Sequence, residues 1–314
     1  MKKTFDSATL RGITVATILP FREDMSIDWN GYERTLRHCA TADVASCVFV
    51  NGHAGEATAL SDQEKAEVLR VTREFVTDGR PLMAGVVPMG LPQALSQIEA
   101  ALKGGADVVT IFPPEAIAGG NAATRAPVLF FEEIAKAFPE VPLSVFQFPV
   151  ASGFGYSTGV LADIAQIDTV VAVKEGSGTI LAYEENVRAV KKVAPEVQIL
   201  ASNFNWFFAQ LAFGADGILS GMASVTPHLL NALWQASEEG DLGKMRAVAD
   251  RLYPMVKAIY HPAPVVDMHT RIKEGLVELG VIERSMPRAP LLPLNAERVA
   301  EVRQAFAGLT AAEA

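Results

Sequence analysis

Eight short apolar runs, each followed by a segment with helical periodicity, constrain the fold of this 314-residue chain more than any other feature. The runs are rich in β-branched residues and do not alternate with polar ones, which is typical of strands buried on both faces of a parallel sheet. The predicted strands are residues 12–19, 46–52, 81–87, 107–113, 142–148, 169–175, 197–202 and 217–221. Eight strands that alternate with helices predict a closed α/β barrel, the (β/α)8 or TIM barrel. An open doubly wound sheet is the alternative, but no G-x-G-x-x-G sequence follows the first predicted strand.

Recognisable helix starts support this division, and further helices follow the eighth strand. The segment Ser61-Asp62-Gln63-Glu64 is typical of a capping box, in which a hydroxyl and a carboxylate bond free N–H groups of the first turn. Thr226 predicts a capping hydroxyl before Pro227 at the first helical position. The late helices are predicted at residues 230–240, 243–259, 264–279 and 296–307. The first of them completes the barrel, so we predict a barrel over residues 1–240 and a C-terminal helical extension, packed on it, over residues 241–314.

The composition argues against several classes of function. A formal net charge of −9 provides no basic surface for nucleic acid or an anionic membrane, and no apolar stretch is long enough to span a bilayer. Two cysteines, Cys39 and Cys47, are too few for a disulfide framework or a structural zinc site. The N-terminal segment lacks the apolar core of a signal peptide. We therefore expect a cytoplasmic protein with no nucleic-acid or membrane partner.

Lys174 lies near the end of the sixth predicted strand, directly after an apolar β-branched run. In barrels of this kind, chemistry takes place at the carboxyl ends of the strands. A lysine among apolar neighbours is desolvated, which lowers the pKa of its amine and leaves it nucleophilic. Such an amine forms a Schiff base with a carbonyl substrate. A snorkelling lysine without a catalytic role is the alternative, and the position at a barrel strand end favours the Schiff base.

Segments spread over nearly the whole chain carry a family resemblance. They are Val15-Ala16-Thr17 to Pro20-Phe21, Gly55-Glu56 with Leu60-Ser61 and Glu64, Gly79-Arg80-Pro81, Ala84-Gly85-Val86, Gly105-Ala106-Asp107, Pro142 to Pro149, Lys174-Glu175 and Gly214 to Ser220. In order and spacing they resemble the dihydrodipicolinate synthase and N-acetylneuraminate lyase family of class I aldolases. The resemblance implies that Lys174 forms an imine with a 2-oxo acid, usually pyruvate, and that the loop at Gly55 binds the acid's carboxylate. It also implies a homo-oligomer, either a dimer or a tetramer.

Several positions depart from the pattern of that family. Its proton-shuttling tyrosine at the end of the fifth strand corresponds to Phe146, and a phenyl ring cannot transfer a proton. The two threonines of its carboxylate-binding loop correspond to His53 and Ala54. Residues 150–153 contain no arginine to hold a second carboxylate, and Pro114 occupies a position of the aromatic pair after the fourth strand. The 4-hydroxy-tetrahydrodipicolinate synthase reaction is therefore retained only as an alternative.

Other groups near Lys174 are predicted to replace the missing tyrosine. His53 is the first candidate, because an unperturbed imidazole titrates near neutrality; a hydrogen bond from its ring to a loop carbonyl is the structural alternative. Tyr156, in the loop after the fifth strand, is the second candidate for proton transfer. Glu56 is expected to be structural, accepting backbone N–H groups.

The substrate-binding residues are predicted from the other strand ends. They are Ala54, Gly55, Phe146, Phe148, Ser202 and Gly221. The loop 53–55 is expected to bind the carboxylate mainly through backbone N–H groups. The two phenylalanines predict a pocket more apolar than the family norm, and so a substrate with an aromatic or otherwise apolar portion. The small residues at Gly221 are expected to leave room above the imine, with phosphate binding as the alternative.

No cofactor and no metal are expected. Metal-dependent aldol chemistry needs several His or carboxylate ligands on converging strand ends. The only His-rich stretch, from His261 to His269, falls in the C-terminal extension, and we interpret it as a solvated helix start. We therefore predict a lysine-dependent lyase or aldolase acting on a 2-oxo acid. A dehydratase or hydratase-aldolase would use the same imine, and a barrel that binds a 2-oxo acid without turnover is the non-catalytic alternative.

Overall fold

Eight parallel strands pair in chain order, and the first pairs with the last, so the sheet closes into a barrel. This computed structural model describes residues 5–120 and 125–314; Met1 to Thr4, the start of the segment considered as a signal peptide, lie outside the described residues. The strands are β1 (Gly12–Ala16), β2 (Cys47–Val50), β3 (Leu82–Val86), β4 (Val108–Ile111), β5 (Leu143–Gln147), β6 (Val170–Glu175), β7 (Gln198–Ala201) and β8 (Gly217–Ser220). The predicted (β/α)8 TIM barrel is confirmed.

A helix follows every strand, and three more complete the chain. The barrel helices are α1 (Trp29–Cys39), α2 (Asp62–Phe75), α3 (Leu91–Lys103), α4 (Ala126–Ala137), α5 (Thr158–Ala165), α6 (Ile180–Val193), α7 (Phe207–Ala212) and α8 (Pro227–Glu238). The later helices are α9 (Leu242–Tyr260), α10 (Met268–Glu278) and α11 (Ala296–Phe306). None of the helices in the described part of the chain has the length and apolarity needed to cross a membrane.

Each of the eight strands is shorter than the apolar run that predicts it. The run at residues 12–19, for example, extends beyond β1, which ends at Ala16. Ile18 and Leu19 are nevertheless fully or almost fully buried. An apolar run indicates burial, whereas a strand also requires hydrogen bonds to a neighbouring strand. The predicted boundaries therefore extend beyond the hydrogen-bonded residues.

The two predicted helix starts have different outcomes. At α2 the capping box is confirmed, with Glu64 N–H donating to Ser61 Oγ at 3.2 Å and Ser61 N–H donating to Glu64 Oε2 at 2.9 Å. At α8 the proline at the helix start is confirmed, but the capping hydroxyl is wrong. The Thr226 hydroxyl instead donates to the carbonyl of Met222 at 3.2 Å, because the short 3-10 turn Gly221–Ser224 brings that carbonyl within reach.

The C-terminal extension packs over the end of the barrel as well as against its side. Helix α9 packs on α8, whereas α10 contacts the 3-10 turn that follows β8. Arg271 of α10 is fully buried, and its guanidinium donates to the carbonyls of Ile259, Pro262 and Pro264. These bonds hold the connection between α9 and α10 in place, and that connection forms part of the cavity wall described next.

Candidate active site

A cavity of about 320 Å³ opens at the carboxyl ends of the barrel strands. Of the predicted site residues, the cavity is lined by His53, Ala54, Phe146, Phe148, Lys174, Ser202 and Gly221. Gly55 and Tyr156 are not among its lining residues. The strand ends therefore converge as the fold predicts, and the C-terminal extension closes the remaining side with Tyr260, Val265, Met268 and His269.

Lys174 reaches this cavity from β6. Its neighbour in the adjacent strand is Phe146, and the lysine Nζ lies 3.6 Å from the centroid of that phenyl ring. Desolvation lowers the pKa of the Lys174 amine to about 7, against an opposing effect of the nearby charge of Glu175. A lysine with such a pKa carries a large unprotonated fraction at neutral pH, which is the form that attacks a carbonyl.

The carboxylate of Glu175 is fully buried behind the lysine. It accepts hydrogen bonds from Asn186 Nδ2 at 2.9 Å, from Asn203 Nδ2 at 3.1 Å and from the N–H of Ser177 at 3.3 Å. Burial raises the pKa of this carboxyl, although the hydrogen bonds oppose the shift. The network joins β6 to α6 and to the end of β7, and so fixes the strand end that carries Lys174.

Phe146 and Phe148 contribute to the apolar wall of the cavity, and Phe112 packs against them from outside the lining. The Phe146 ring contacts those of Phe112 and Phe148, with centroid distances of 4.1 Å and 4.4 Å. Phe146 is only 3% exposed. Stacking holds its ring face towards the lysine Nζ, and a ring face carries the negative part of the aromatic quadrupole. The amine therefore meets an apolar surface that still interacts favourably with positive charge.

Two histidine rings meet on the opposite part of the lining. His53, from the loop after β2, and His269, from α10, lie edge to face with centroids 5.0 Å apart and planes at 74°. Enclosure by protein atoms lowers the pKa of both imidazoles, although the His53 side chain remains accessible from the cavity. The positive charge of Lys174 lowers both further. Both rings are therefore neutral at pH 7 and able to accept a proton.

His269 corrects an expectation of the sequence. The interpretation of the stretch from His261 to His269 as a solvated helix start is wrong at both ends. His261 is exposed but caps the C-terminal end of α9, and His269, in the first turn of α10, is 7% exposed and lines the cavity. Local periodicity shows where α10 begins, but not that its first turn faces the barrel mouth. Among the residues that the structure describes, no group of three His, Cys, Asp or Glu side chains could hold a metal ion.

Tyr156 is not brought to the lysine. Its ring is fully buried against Phe131, with centroids 6.2 Å apart, and burial raises the pKa of its hydroxyl. The main chain of Tyr156 is bound in both directions by the side chain of Gln147, which holds it outside the cavity. The phenol that does line the cavity is Tyr260, at the end of α9, whose hydroxyl bonds the Ser220 side chain. Sequence reasoning missed Tyr260 because it ends an ordinary amphipathic helix.

Other predicted roles are clarified by the packing. A side-chain Cβ at Gly221 would lie 3.1 Å from the Ala54 Cβ and 3.3 Å from the Ile272 Cδ1, so glycine keeps this corner open. The described lining contains no arginine and no lysine apart from Lys174, which disfavours phosphate binding there. Glu56 does not accept a backbone N–H in the described structure; its carboxylate forms a buried ion pair with Lys273 of α10.

Comparisons with known proteins agree with this architecture. The family model described as the dihydrodipicolinate synthetase family matches residues 9–308. A curated relative, the 4-hydroxy-tetrahydrodipicolinate synthase of Archaeoglobus fulgidus, is 25% identical over 302 residues, covering 95% of this chain and 98% of its own.

Solved structures show the same fold over nearly the whole chain. A structure described as the first monomeric dihydrodipicolinate synthase variant is 23% identical, with a TM-score of 0.87 over 97% of this chain and 98% of its own. The prophage protein YagE of E. coli K12, solved in complex with pyruvate, is 20% identical with a TM-score of 0.82, over 94% of this chain and 96% of its own. With the family model matching almost its entire length, the chain belongs to the dihydrodipicolinate synthetase family.

Proposed function

We propose that this protein is a Schiff-base lyase that acts on a 2-oxo acid through Lys174. The observation that carries the proposal is a desolvated amine at the end of β6, inside the cavity, with a pKa lowered to about 7. The amine would attack the C2 carbonyl, water would leave, and an imine would form. Once protonated, that imine withdraws electrons from a bond at C3 and yields an enamine.

The loop after β2 suits the carboxylate of the acid. In the described chain, the N–H groups of Ala54 and Gly55 donate to no protein acceptor. Free backbone N–H groups bind an anion well in a site that is partly shielded from water. We assign the carboxylate to this loop and the reacting carbon to the space between Lys174 and His53. His53 would then serve as the proton acceptor in place of the tyrosine that Phe146 replaces.

The reaction catalysed by the named relatives is a weaker candidate. A 4-hydroxy-tetrahydrodipicolinate synthase would have to hold a second substrate that carries its own carboxylate. Apart from Lys174, the described cavity lining contains no cationic residue of fixed charge, and its walls include the Phe146 and Phe148 rings. Cleavage or condensation of an aldol with an uncharged, apolar portion fits this lining better. Dehydration and hydration would proceed through the same imine.

Borohydride trapping tests the proposal. The protein would be incubated with pyruvate, which the E. coli structure contains, and with a panel of other 2-oxo acids, then reduced and digested for peptide mass spectrometry. We expect an adduct on Lys174 that is lost in Lys174→Met and retained in Lys103→Met, a change at an exposed lysine of α3. Folded protein that forms no adduct with any acid would instead support the non-catalytic binding barrel.

A further inference from the structure

We propose that His53 and His269 together form the proton relay of this site, a pair of imidazoles shared between the barrel and the C-terminal extension. The inference rests on the proposed imine at Lys174 and names the groups that move the proton. One ring would take the proton from C3 of the imine, and the other would stabilise and pass on the proton that the first has received.

The composition of the cavity lining leaves few alternatives. Its titratable side chains in the described structure are His53, Lys174, Tyr260 and His269, and none is a carboxylate. Lys174 is occupied by the imine. The Tyr260 hydroxyl is bonded to the Ser220 side chain and to the backbone of Met222, and burial raises its pKa. The two imidazoles are therefore the bases that remain.

The charges around the pair match the reaction. Desolvation and the positive charge of Lys174 lower the pKa of both rings, and Lys273 and Arg271 lower the pKa of His269 further, so both rings are unprotonated before the reaction. When the C3–H bond breaks, its electron pair forms the C2–C3 double bond and the imine π electrons move to nitrogen. The positive charge of the imine is thereby neutralised as the imidazole gains its proton. The net charge of the cavity is unchanged by the transfer, and the repulsion between the charged imine and the ring is relieved as the imine becomes neutral.

An ion pair fixes the distance between the two histidine-bearing segments. His269 and Lys273 are four residues apart in α10 and share one face of the helix. Lys273, fully buried, pairs with Glu56, which follows His53 by three residues. The Lys273 ammonium also donates to the carbonyl of Met286 at 3.1 Å. The contact of 5.0 Å between the rings is thus supported by a second link between the same two segments.

Exchange of the pyruvate C3 protons with deuterium measures this step separately from imine formation. The wild-type protein in D2O would be followed by NMR, alongside His53→Asn, His269→Asn and the double variant, with borohydride trapping on each. We expect both single variants to form the Lys174 adduct but to exchange 100-fold more slowly or worse, the range that general acid–base groups supply. The double variant should exchange only slightly more slowly than either single variant, because the two rings act as one unit. His228→Asn, at the start of α8 and outside the cavity, is the control.

The outcomes separate the relay from the proposed function. If either single histidine variant forms the adduct and still exchanges the C3 protons at the wild-type rate, the proposed relay by both histidines is wrong. If Tyr260→Phe loses the deuterium exchange while both histidine variants retain it, the relay is again wrong, and the Tyr260 phenol carries the proton instead. If wild-type protein forms no adduct, the proposed function fails and the relay with it. Should His269→Asn not fold, His53→Asn, in a loop at the cavity surface, still decides whether an imidazole carries the proton.

Discussion

At the scale of single residues, the proposed chemistry depends on Phe146 and Lys174. Phe146 carries no hydroxyl but presents a ring face, and that face lies 3.6 Å from the lysine Nζ. A cation this close to an aromatic face is stabilised by about 0.5–2 kcal/mol. A protonated imine places its positive nitrogen near the same point. Phe146 would therefore favour the protonated imine while leaving proton transfer to other groups.

Truncating this ring should weaken imine formation. For Phe146→Leu we expect the trapped fraction at limiting pyruvate to correspond to an imine equilibrium about 2- to 30-fold less favourable, the equivalent of a lost cation–π contact. Phe146→Tyr should remain close to wild type, since it keeps the ring. Phe148→Leu, which changes the same wall without touching the amine, is the matched comparison. An equal effect of the Phe146 and Phe148 truncations would show that bulk, and not the ring face, matters.

The lowered pKa of Lys174 predicts the pH dependence of imine formation. Above a pKa of about 7 the amine is mostly unprotonated; below it, each unit of pH reduces the reactive fraction about tenfold. The initial rate of cyanoborohydride trapping with pyruvate should therefore fall from pH 7 to pH 5 and level off above pH 8. A rate that keeps rising towards pH 10 would indicate a lysine of ordinary pKa and contradict the desolvated site.

At the scale of elements, α10 is the unusual helix. A helix with His269, Arg271, Lys273 and Glu274 all buried cannot be recognised as a core helix from its hydrophobicity. Each of its charged groups has a partner: Arg271 bonds three carbonyls, Lys273 pairs with Glu56, and Glu274 pairs with Arg303 of α11. These contacts join the extension to the barrel loop that carries His53, and so connect two elements that both line the cavity.

Breaking the buried pair should destabilise the fold strongly. Lys273→Met would leave the Glu56 carboxylate buried without its counter-ion, at a cost of about 3–5 kcal/mol in the free energy of unfolding. The double variant Glu56→Gln with Lys273→Met should recover much of that loss. Urea unfolding followed by circular dichroism measures both, with Lys103→Met expected to leave the midpoint almost unchanged. If the double variant is no more stable than Lys273→Met alone, packing and not charge accounts for the loss.

At the scale of the whole molecule, the cavity belongs to the barrel and the extension together. A division at residue 240 places Lys174 and His53 on one side and Tyr260 and His269 on the other. The division of the chain into a barrel and an extension stays a prediction. The complete cavity lining, however, requires both parts, because the last helices return to the mouth of the barrel.

The predicted assembly is a homo-oligomer. Light scattering coupled to size exclusion should give two or four times the chain mass of 33.6 kDa. The expectation derives from the family resemblance of the sequence. A mass of 33.6 kDa at micromolar protein would contradict it.

Local sequence patterns predict much of this fold. The eight apolar runs specify buried strands, Ser61 and Glu64 specify a helix start, and the order of strands and helices specifies a barrel. Lys174 could be assigned to the cavity from sequence because a barrel presents the end of each strand at one known face. Phe146 was identifiable for the same reason. In each case the information lies within a few residues of the feature it predicts.

Only the tertiary structure decided which residues from distant parts of the chain join Lys174 and Phe146 in the cavity. The rings of His269 and His53 are in contact although the residues are 216 positions apart in the sequence. Tyr260 lines the cavity, whereas Tyr156, which is closer to Lys174 in the sequence, is buried in the core. Periodicity reports that a helix has an apolar face, but not which surface covers it. The position of α10 over the barrel mouth depends on long-range packing and on the buried pair between Glu56 and Lys273. Contacts of that kind arise from the folded chain as a whole, and no local pattern contains them.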